Sequence, residues 1–289
     1  MPLPFRVRRS LLFVPAIRPD RYPKALATGA DAVCIDLEDG VAVGFKDEAR
    51  ASALALFTDR VPTRAEVSLR INDPKTALGQ RDIEAVRQSG IRPDALMLPK
   101  CEGPGEVREV RNALNNASQT LPLIVMAETA RGVAAVDAIA TATPDITAVF
   151  FGAIDYAADV GCAVEWDAVL FARSRVVLAA AVAGASAIDS PFMDVPALDA
   201  LADECHRTQA LGFVGKAAIH PSQVAVIQRA FSPADAEVEW AREIIDAYER
   251  NKGGVLLVDG KLIERPVIAS AKRTLAMAST VDEATKHGD

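Results

Sequence analysis

Leu121-Pro-Leu-Ile-Val-Met-Ala-Glu128 is an apolar run that stops on a carboxylate, and Ala148-Val-Phe-Phe-Gly-Ala-Ile-Asp155 repeats the arrangement after one helix-like segment. Short apolar runs rich in β-branched residues read as strands buried on both faces. Working outward, six more such runs appear: Ser10-Leu-Leu-Phe-Val-Pro15, Ala32-Val-Cys-Ile-Asp-Leu-Glu-Asp39, Val67-Ser-Leu-Arg-Ile-Asn72, Ala95-Leu-Met-Leu-Pro-Lys100, Ala187-Ile-Asp-Ser190 and Gly212-Phe-Val-Gly-Lys-Ala-Ala-Ile-His220. Helix-like segments separate them, and eight strand–helix units predict an α/β protein built as a (β/α)8 TIM barrel. The competing doubly wound sheet usually carries a glycine-rich phosphate loop after its first strand. Here that strand leads into Val14-Pro15-Ala16-Ile17-Arg18, which has no such fingerprint.

In a barrel the C-terminal ends of the strands converge on one site. The residues expected there are Glu38, Asp39, Arg70, Asn72, Lys100, Glu128, Asp155, Asp189 and His220. Acids outnumber bases in this set, and such a cluster calls for a divalent cation.

A chain of 289 residues suits a barrel plus an appendage. The net charge of −7 and the low aromatic content argue against a nucleic-acid surface. Cys34, Cys101, Cys162 and Cys205 show no C-x-x-C spacing, so neither a zinc knuckle nor a catalytic thiol is expected. The start, Arg6 to Pro15, superficially resembles a signal peptide, but its apolar core is too short. The longest apolar run, Val176 to Ile188, falls short of a membrane span. A soluble, cytoplasmic protein without membrane or nucleic-acid partners is therefore expected.

The barrel domain is expected to occupy residues 1–231 and a C-terminal extension residues 232–289. That extension reads as an acidic helix Asp235 to Arg250, a linker Asn251-Lys-Gly-Gly254, a strand Val255 to Val258, an Asp259-Gly260 turn, a return strand Lys261 to Val267 and a helix Ile268 to Ser279. So small a piece is expected to pack on its own barrel or on a neighbouring subunit.

Glu128 and Asp155, at the ends of adjacent strands, can share one hard cation that keeps water or substrate oxygens, as magnesium prefers. The alternative is helix capping by Thr129 or Asp155. Period-two alternation puts Asp36 and Glu38 on one face of strand two and Asp39 on the other. Arg70 can grip a carboxylate through its planar fork or pair with strand two. Lys100 stands where a Schiff-base lysine would, but neighbouring carboxylates would raise its pKa and keep it protonated. His220 reads as a general base or, more plainly, as a structural hydrogen-bonding group.

Taken in order, Leu12-Phe-Val-Pro15, Asp36-Leu-Glu-Asp-Gly-Val41 with Lys46 and Ala49-Arg50, Leu69-Arg-Ile-Asn72, Leu98-Pro-Lys100, Glu128-Thr129, Phe151-Gly-Ala-Ile-Asp155 and Gly215-Lys-Ala-Ala-Ile-His-Pro-Ser-Gln223 resemble the citrate lyase β-subunit family of the HpcH/HpaI aldolase group. Asp259-Gly-Lys-Leu-Ile-Glu-Arg-Pro266 is similar to the tail of its CoA-ester lyase branch, with citramalyl-CoA and malyl-CoA lyases. The resemblance implies a Mg²⁺-dependent enzyme, with Mn²⁺ as a substitute, acting on an acyl-CoA and a 2-oxo acid. It implies Glu128 and Asp155 as metal ligands and Arg70 as a catalytic contact to substrate oxygens. Glu38 and Asp39 are added to the catalytic set from their place at the mouth. Arg18 and Lys24 are implied to lie near the CoA phosphates. A homo-oligomer, trimer or hexamer, is expected. Two departures stand out: Ala16 where the family usually has glycine, and Glu264 where its tail usually has a catalytic aspartate donated across a subunit boundary.

These residues suit cleavage of a 3-hydroxyacyl-CoA. Other readings are a citryl-CoA lyase, an aldolase on free 4-hydroxy-2-oxo acids, an acyl-CoA thioesterase and a weakly active assembly subunit.

Overall fold

The computed structural model describes residues 6–114, 121–251, 256–258 and 261–285. Lys252 to Val255, Asp259-Gly260 and His287 lie outside the described residues. Eight parallel strands close into a barrel in sequence order: β1 (Ser10–Pro15), β2 (Ala32–Asp36), β3 (Glu66–Arg70), β4 (Ala95–Leu98), β5 (Leu123–Ala127), β6 (Ile146–Phe151), β7 (Ser186–Asp189) and β8 (Gly215–Ala218). The barrel helices are α1 (Tyr22–Leu26), α2 (Lys46–Thr58), α3 (Ala77–Ser89), α4 (Pro104–Leu114), α5 (Ala130–Ala134), α6 (Val136–Ala140), α7 (Ala153–Val160), α8 (Trp166–Ala183), α9 (Leu198–Leu211) and α10 (Pro221–Phe231). Local chemistry sets several ends. The Thr76 hydroxyl accepts from the Gly79 N–H at the start of α3, and left-handed Gly90 and Gly184 terminate α3 and α8.

Alternate strand residues fill the barrel interior. Leu11, Cys34, Met97, Ile124, Met126, Phe150, Ile188 and Ala217 form one buried cluster. β8 closes on β1 because Gly215 has no side chain; a Cβ there would lie 1.8 Å from the Arg8 carbonyl oxygen.

The strands end earlier than the sequence suggests. β2 stops at Asp36, which leaves Glu38 and Asp39 in the following loop, beyond the reach of period-two alternation. β6 stops at Phe151, so Asp155 belongs to the first turn of α7 and does not end a strand. The segment after β5 is two short helices, α5 and α6, where one helix was expected.

Asp189 corrects another expectation. Ile188 and Ala217 face the interior, so Asp189 and Lys216, which are register partners, face the surrounding helices. Both are fully buried. Lys216 Nζ donates to Asp189 Oδ2 at 2.5 Å and to Glu204 Oε1 at 2.6 Å. Arg173 donates to both acids, at 3.1 and 3.3 Å, and its guanidinium lies 4.8 Å from the Trp166 ring centre. Two cations thus neutralise two acids between sheet and helices, with Asp189, Lys216 and Arg173 buried and Glu204 partly exposed.

The chain divides into two compact units, Met1–Gln228 and Arg229–Asp289. The second contains α11 (Asp235–Arg250), the antiparallel pair β9 (Leu256–Val258) and β10 (Lys261–Ile263), and α12 (Arg265–Thr285). The return strand is shorter and the last helix longer than the sequence suggests. Ala241, Ile244, Ile263, Ile268 and Ala271 form the core of this unit. No helix among the described residues is long and apolar enough to cross a membrane.

Removing one member of a buried ion cluster leaves its partner charged and unpaired, which costs about 3–5 kcal/mol. Lys216→Met is therefore expected to lower unfolding stability by that amount in urea titration. A loss under about 1 kcal/mol would show that Arg173 alone compensates Asp189 and Glu204.

Candidate active site

The site grows from two neighbouring strand ends. Asp36 ends β2 and Arg70 ends β3, and the two are register partners. Arg70 donates through Nε and an Nη to both oxygens of Asp36, each at 2.7 Å. The other Nη lies 3.0 Å from Glu38 Oε2, and the guanidinium covers the Phe13 ring at 4.7 Å. Asp36 also accepts the backbone N–H groups of Glu38 and Gly40, at 2.8 and 2.9 Å. Burial works against its ionisation, but the Arg70 charge and hydrogen bonds hold its carboxyl below the usual range. The pairing of Arg70 with strand two is thus realised, and the Nε edge of its fork is already occupied.

The loop after β2 is pinned from beneath. Buried Lys46 donates to the carbonyls of Leu37 and Glu38 at 2.7 and 2.6 Å. Glu38 Oε1 accepts from Lys100 Nζ at 2.5 Å, and Asp39 lies 3.6 Å from the same nitrogen. Burial lifts the Glu38 carboxyl despite Arg70 and Lys100. Burial pulls Lys100 the other way, yet Glu38 and Asp39 hold its ammonium above the ordinary value. A Schiff base needs the neutral amine, so this environment opposes one.

Glu128 follows β5 on the interior face, two residues after Met126, and is fully buried. Its Oε1 accepts the Lys100 backbone N–H at 2.8 Å, while its Oε2 has no hydrogen-bond partner. Room for this side chain comes from Gly152, where a Cβ would lie 2.5 Å from Glu128 Oε2. Burial, then the charges of Glu38 and Asp155, raise Glu128 to about 8. Burial and Asp39 also raise Asp155. Thr129 caps α5 by accepting from Gly132 N–H at 2.9 Å, so Glu128 is not spent on capping.

These features fit a hard cation. A fully buried carboxylate oxygen lacks a partner, and a second carboxylate lines the same cavity. No group of three or more His, Cys, Asp or Glu is arranged for a metal among the described residues. Glu128 and Asp155 would therefore supply two ligands, leaving other positions to water or substrate oxygens, as magnesium tolerates.

The cavity measures about 380 Å³. Asp36, Asp39, Arg70, Glu128 and Asp155 line it, with Phe13, Met126 and Phe150 among the apolar lining. Arg21, which the sequence reading passed over, also lines it. Arg18 and Lys24 are exposed outside this lining, and Arg18 pairs with Asp20 at 2.8 Å. Asn72 turns to Asp82, which accepts from its backbone and side-chain nitrogens at 2.8 and 2.6 Å. His220 is exposed, and its Nδ1 lies 2.8 Å from the Ser222 hydroxyl. Burial pushes the Cys34 and Cys205 thiols up to about 12, as inert core cysteines. Glu264 belongs to the C-terminal unit, where it is exposed and its backbone carbonyl accepts from Val267 and Ile268 at the start of α12.

Residues 9–221 match the family model described as HpcH/HpaI aldolase/citrate lyase. The chain belongs to this family. Residues 167–281 also match a model for carbon–carbon bond lyases of the TIM-barrel fold. The mitochondrial citramalyl-CoA lyase of Mus musculus is 32% identical, over 96% of this chain and 87% of the relative. The L-malyl-CoA/β-methylmalyl-CoA lyase of Cereibacter sphaeroides is also 32% identical, over 97% of each chain. Among solved structures, the protein CitE of Mycobacterium tuberculosis, in complex with magnesium, acetoacetate and coenzyme A, is 34% identical with a TM-score of 0.77, covering 93% of this chain and 97% of its own.

Because Glu128 ionises near 8 when folded and near 4.5 ordinarily, the native state holds a proton between those values that the unfolded chain has lost. Stability must fall as pH rises through this window. Glu128→Gln removes that titration. In EDTA, its stability relative to the parent is expected to improve steadily from about pH 5 to about pH 8. A pH-independent difference between the two urea midpoints would contradict the raised ionisation.

Proposed function

We propose that this protein is a Mg²⁺-dependent carbon–carbon lyase. Its substrate is a 3-hydroxyacyl-CoA of the citramalyl-, malyl- or methylmalyl-CoA type, cleaved to an acyl-CoA and a 2-oxo acid. The observation that carries this reading is the buried, unpartnered Oε2 of Glu128, in a cavity that Asp155 and Arg70 also line. The names of the relatives and the ligands of CitE support the same chemistry.

Glu128 and Asp155 would hold the magnesium, with Mn²⁺ as a substitute. When bound, it supplies a Lewis acid to the substrate oxygen that becomes the keto group. Cleavage removes the hydroxyl proton, breaks the C–C bond, leaves its electron pair on the thioester as an enolate and returns a proton to the enolate carbon. Asp39, whose carboxylate lines the cavity, is suited to accept the hydroxyl proton. Glu38 orients Arg70 and Lys100. Arg70, held by Asp36 on one edge and 3.0 Å from Glu38 at its other Nη, lines the cavity and is suited to offer its remaining N–H groups to the developing negative charge.

Glu264 takes the place of the family's tail aspartate and returns the proton to carbon, from a neighbouring subunit of a homo-oligomer, trimer or hexamer. Its exposure at the start of α12 leaves its carboxylate accessible to a partner. Arg18 and Lys24, exposed in the segment after β1, would meet the CoA phosphates.

Chelation is expected to abolish cleavage and added Mg²⁺ to restore it; full activity in EDTA would refute the metal role. Arg70→Lys cannot serve both Asp36 oxygens and Glu38 at once. It should lose about 2–4 kcal/mol of transition-state stabilisation in kcat/KM; parent-like kinetics would reduce Arg70 to a general charge. Glu264→Ala and Glu128→Gln should each be inactive alone and regain activity when their subunits are mixed. No recovery after verified subunit exchange would argue against a donor acting in trans.

A further inference from the structure

The turn after β4 carries a backbone outlier. Lys100 adopts a φ of 52°, and among the described residues no other non-glycine residue has a left-handed backbone. That region crowds the Cβ of an L-residue, so a long side chain stays there only where its surroundings hold it. Three contacts of different kinds meet at this residue. Its N–H donates to Glu128 Oε1 at 2.8 Å, its Nζ to Glu38 Oε1 at 2.5 Å, and its carbonyl accepts from Lys75 Nζ at 3.0 Å. Rotation about N–Cα to an ordinary negative φ would turn the carbonyl and the chain beyond it relative to the N–H. The three contacts therefore depend on one another.

Two of them face other groups of the site, while the third comes from outside it. Lys75 is exposed on the segment between β3 and α3, outside the cavity lining. Its own turn is fixed: the Lys75 N–H donates to Asp73 Oδ1 at 2.9 Å, and the Thr76 hydroxyl donates to the Asp73 carbonyl at 2.7 Å. The Lys75 ammonium also lies 2.9 Å from Glu102 Oε2, two residues past Lys100. The Glu102 N–H in turn donates to Glu106 at 2.9 Å. Lys75 thus grips the loop after β4 at two points, one of them the carbonyl of the strained residue. The effect reaches Glu128, because the Lys100 N–H occupies Oε1 and leaves Oε2 without a partner.

We propose that Lys75 is a positioning residue for Glu128, acting through the left-handed backbone of Lys100 and leaving Oε2 as the oxygen offered to a cation. The hold on Lys100 is a property of the metal-free protein. Its effect on Mg²⁺ rests on the metal role proposed above for Glu128 and Asp155.

Full-length Lys75→Met and Lys75→Arg test both parts, and the exposure of Lys75 leaves the core untouched by either change. In metal-free protein, deuterium exchange of the Lys100 amide is followed by NMR. Lys75→Met is expected to speed it at least tenfold while the amides of β4 and β5 keep their parent rates. Lys75→Arg, which can donate to the same carbonyl, should restore most of the protection. An unchanged Lys100 rate in Lys75→Met, or acceleration spread evenly over the barrel, would overturn the proposal. Mg²⁺ affinity is then measured by calorimetry, and Lys75→Met is expected to bind about tenfold more weakly. Charge alone predicts the opposite sign, because removing a cation beside Asp73, Glu102 and Glu106 would tighten the hold on a divalent cation. Equal or tighter binding in Lys75→Met would therefore overturn the role toward Glu128. A parent protein that binds no Mg²⁺ would refute the proposed metal role, and the amide exchange rates would then decide the inference by themselves.

Discussion

The pair between Asp36 and Arg70 is the constraint on which the rest of the site depends. Parallel register sets the two residues side by side, and Asp36 takes two bonds from the guanidinium and two from the loop that follows it. One carboxylate therefore fixes both the cation of the cavity and the chain carrying Glu38 and Asp39. Lys46 pins that same loop from below, and Lys100 reaches Glu38 from β4. The polar groups form one lattice anchored in the barrel wall, and preorganisation of this kind is what electrostatic catalysis needs.

Within that lattice Glu128 is the unbalanced element. Every other buried acid around Arg70 has a cation or backbone donors for both oxygens, while Glu128 has one donor and an empty side. The gap is built in by Gly152, since any larger residue would press on the carboxylate. A protein that leaves a buried carboxylate half satisfied accepts a stability cost, and functional sites are where such costs are found.

The barrel was legible from the sequence because its strands are continuous apolar runs that stop on polar residues, a pattern only a fully covered parallel sheet explains. Glu128 and Arg70 were legible for the same reason, since each stands at the end of such a run. Asp155 was singled out as an acid, but its place was misread. Gly152 breaks the strand, and Ala153 onward coils into α7, a change that apolar composition does not signal. Glu38 and Asp39 read as strand because the apolar run continues through Leu37, although Asp39-Gly40 carries the same turn chemistry as Asp259-Gly260. Asp189 was drawn to the mouth because a four-residue strand gives no hint of which face its last residue takes. Arg21 escaped notice because nothing local distinguishes a cavity-lining arginine from its surface-paired neighbour Arg18.

The cluster around Lys216 bears on how the barrel is held closed. Its four charged groups come from α8, β7, α9 and β8, the last quarter of the closed sheet. Each buried member depends on the others for its pairing, so these two strands and two helices hold one another in place through charge as well as through apolar contact. A chain lacking β8 would leave Arg173 alone to face both Asp189 and Glu204, so closure at β8 is specified by charge as well as by register.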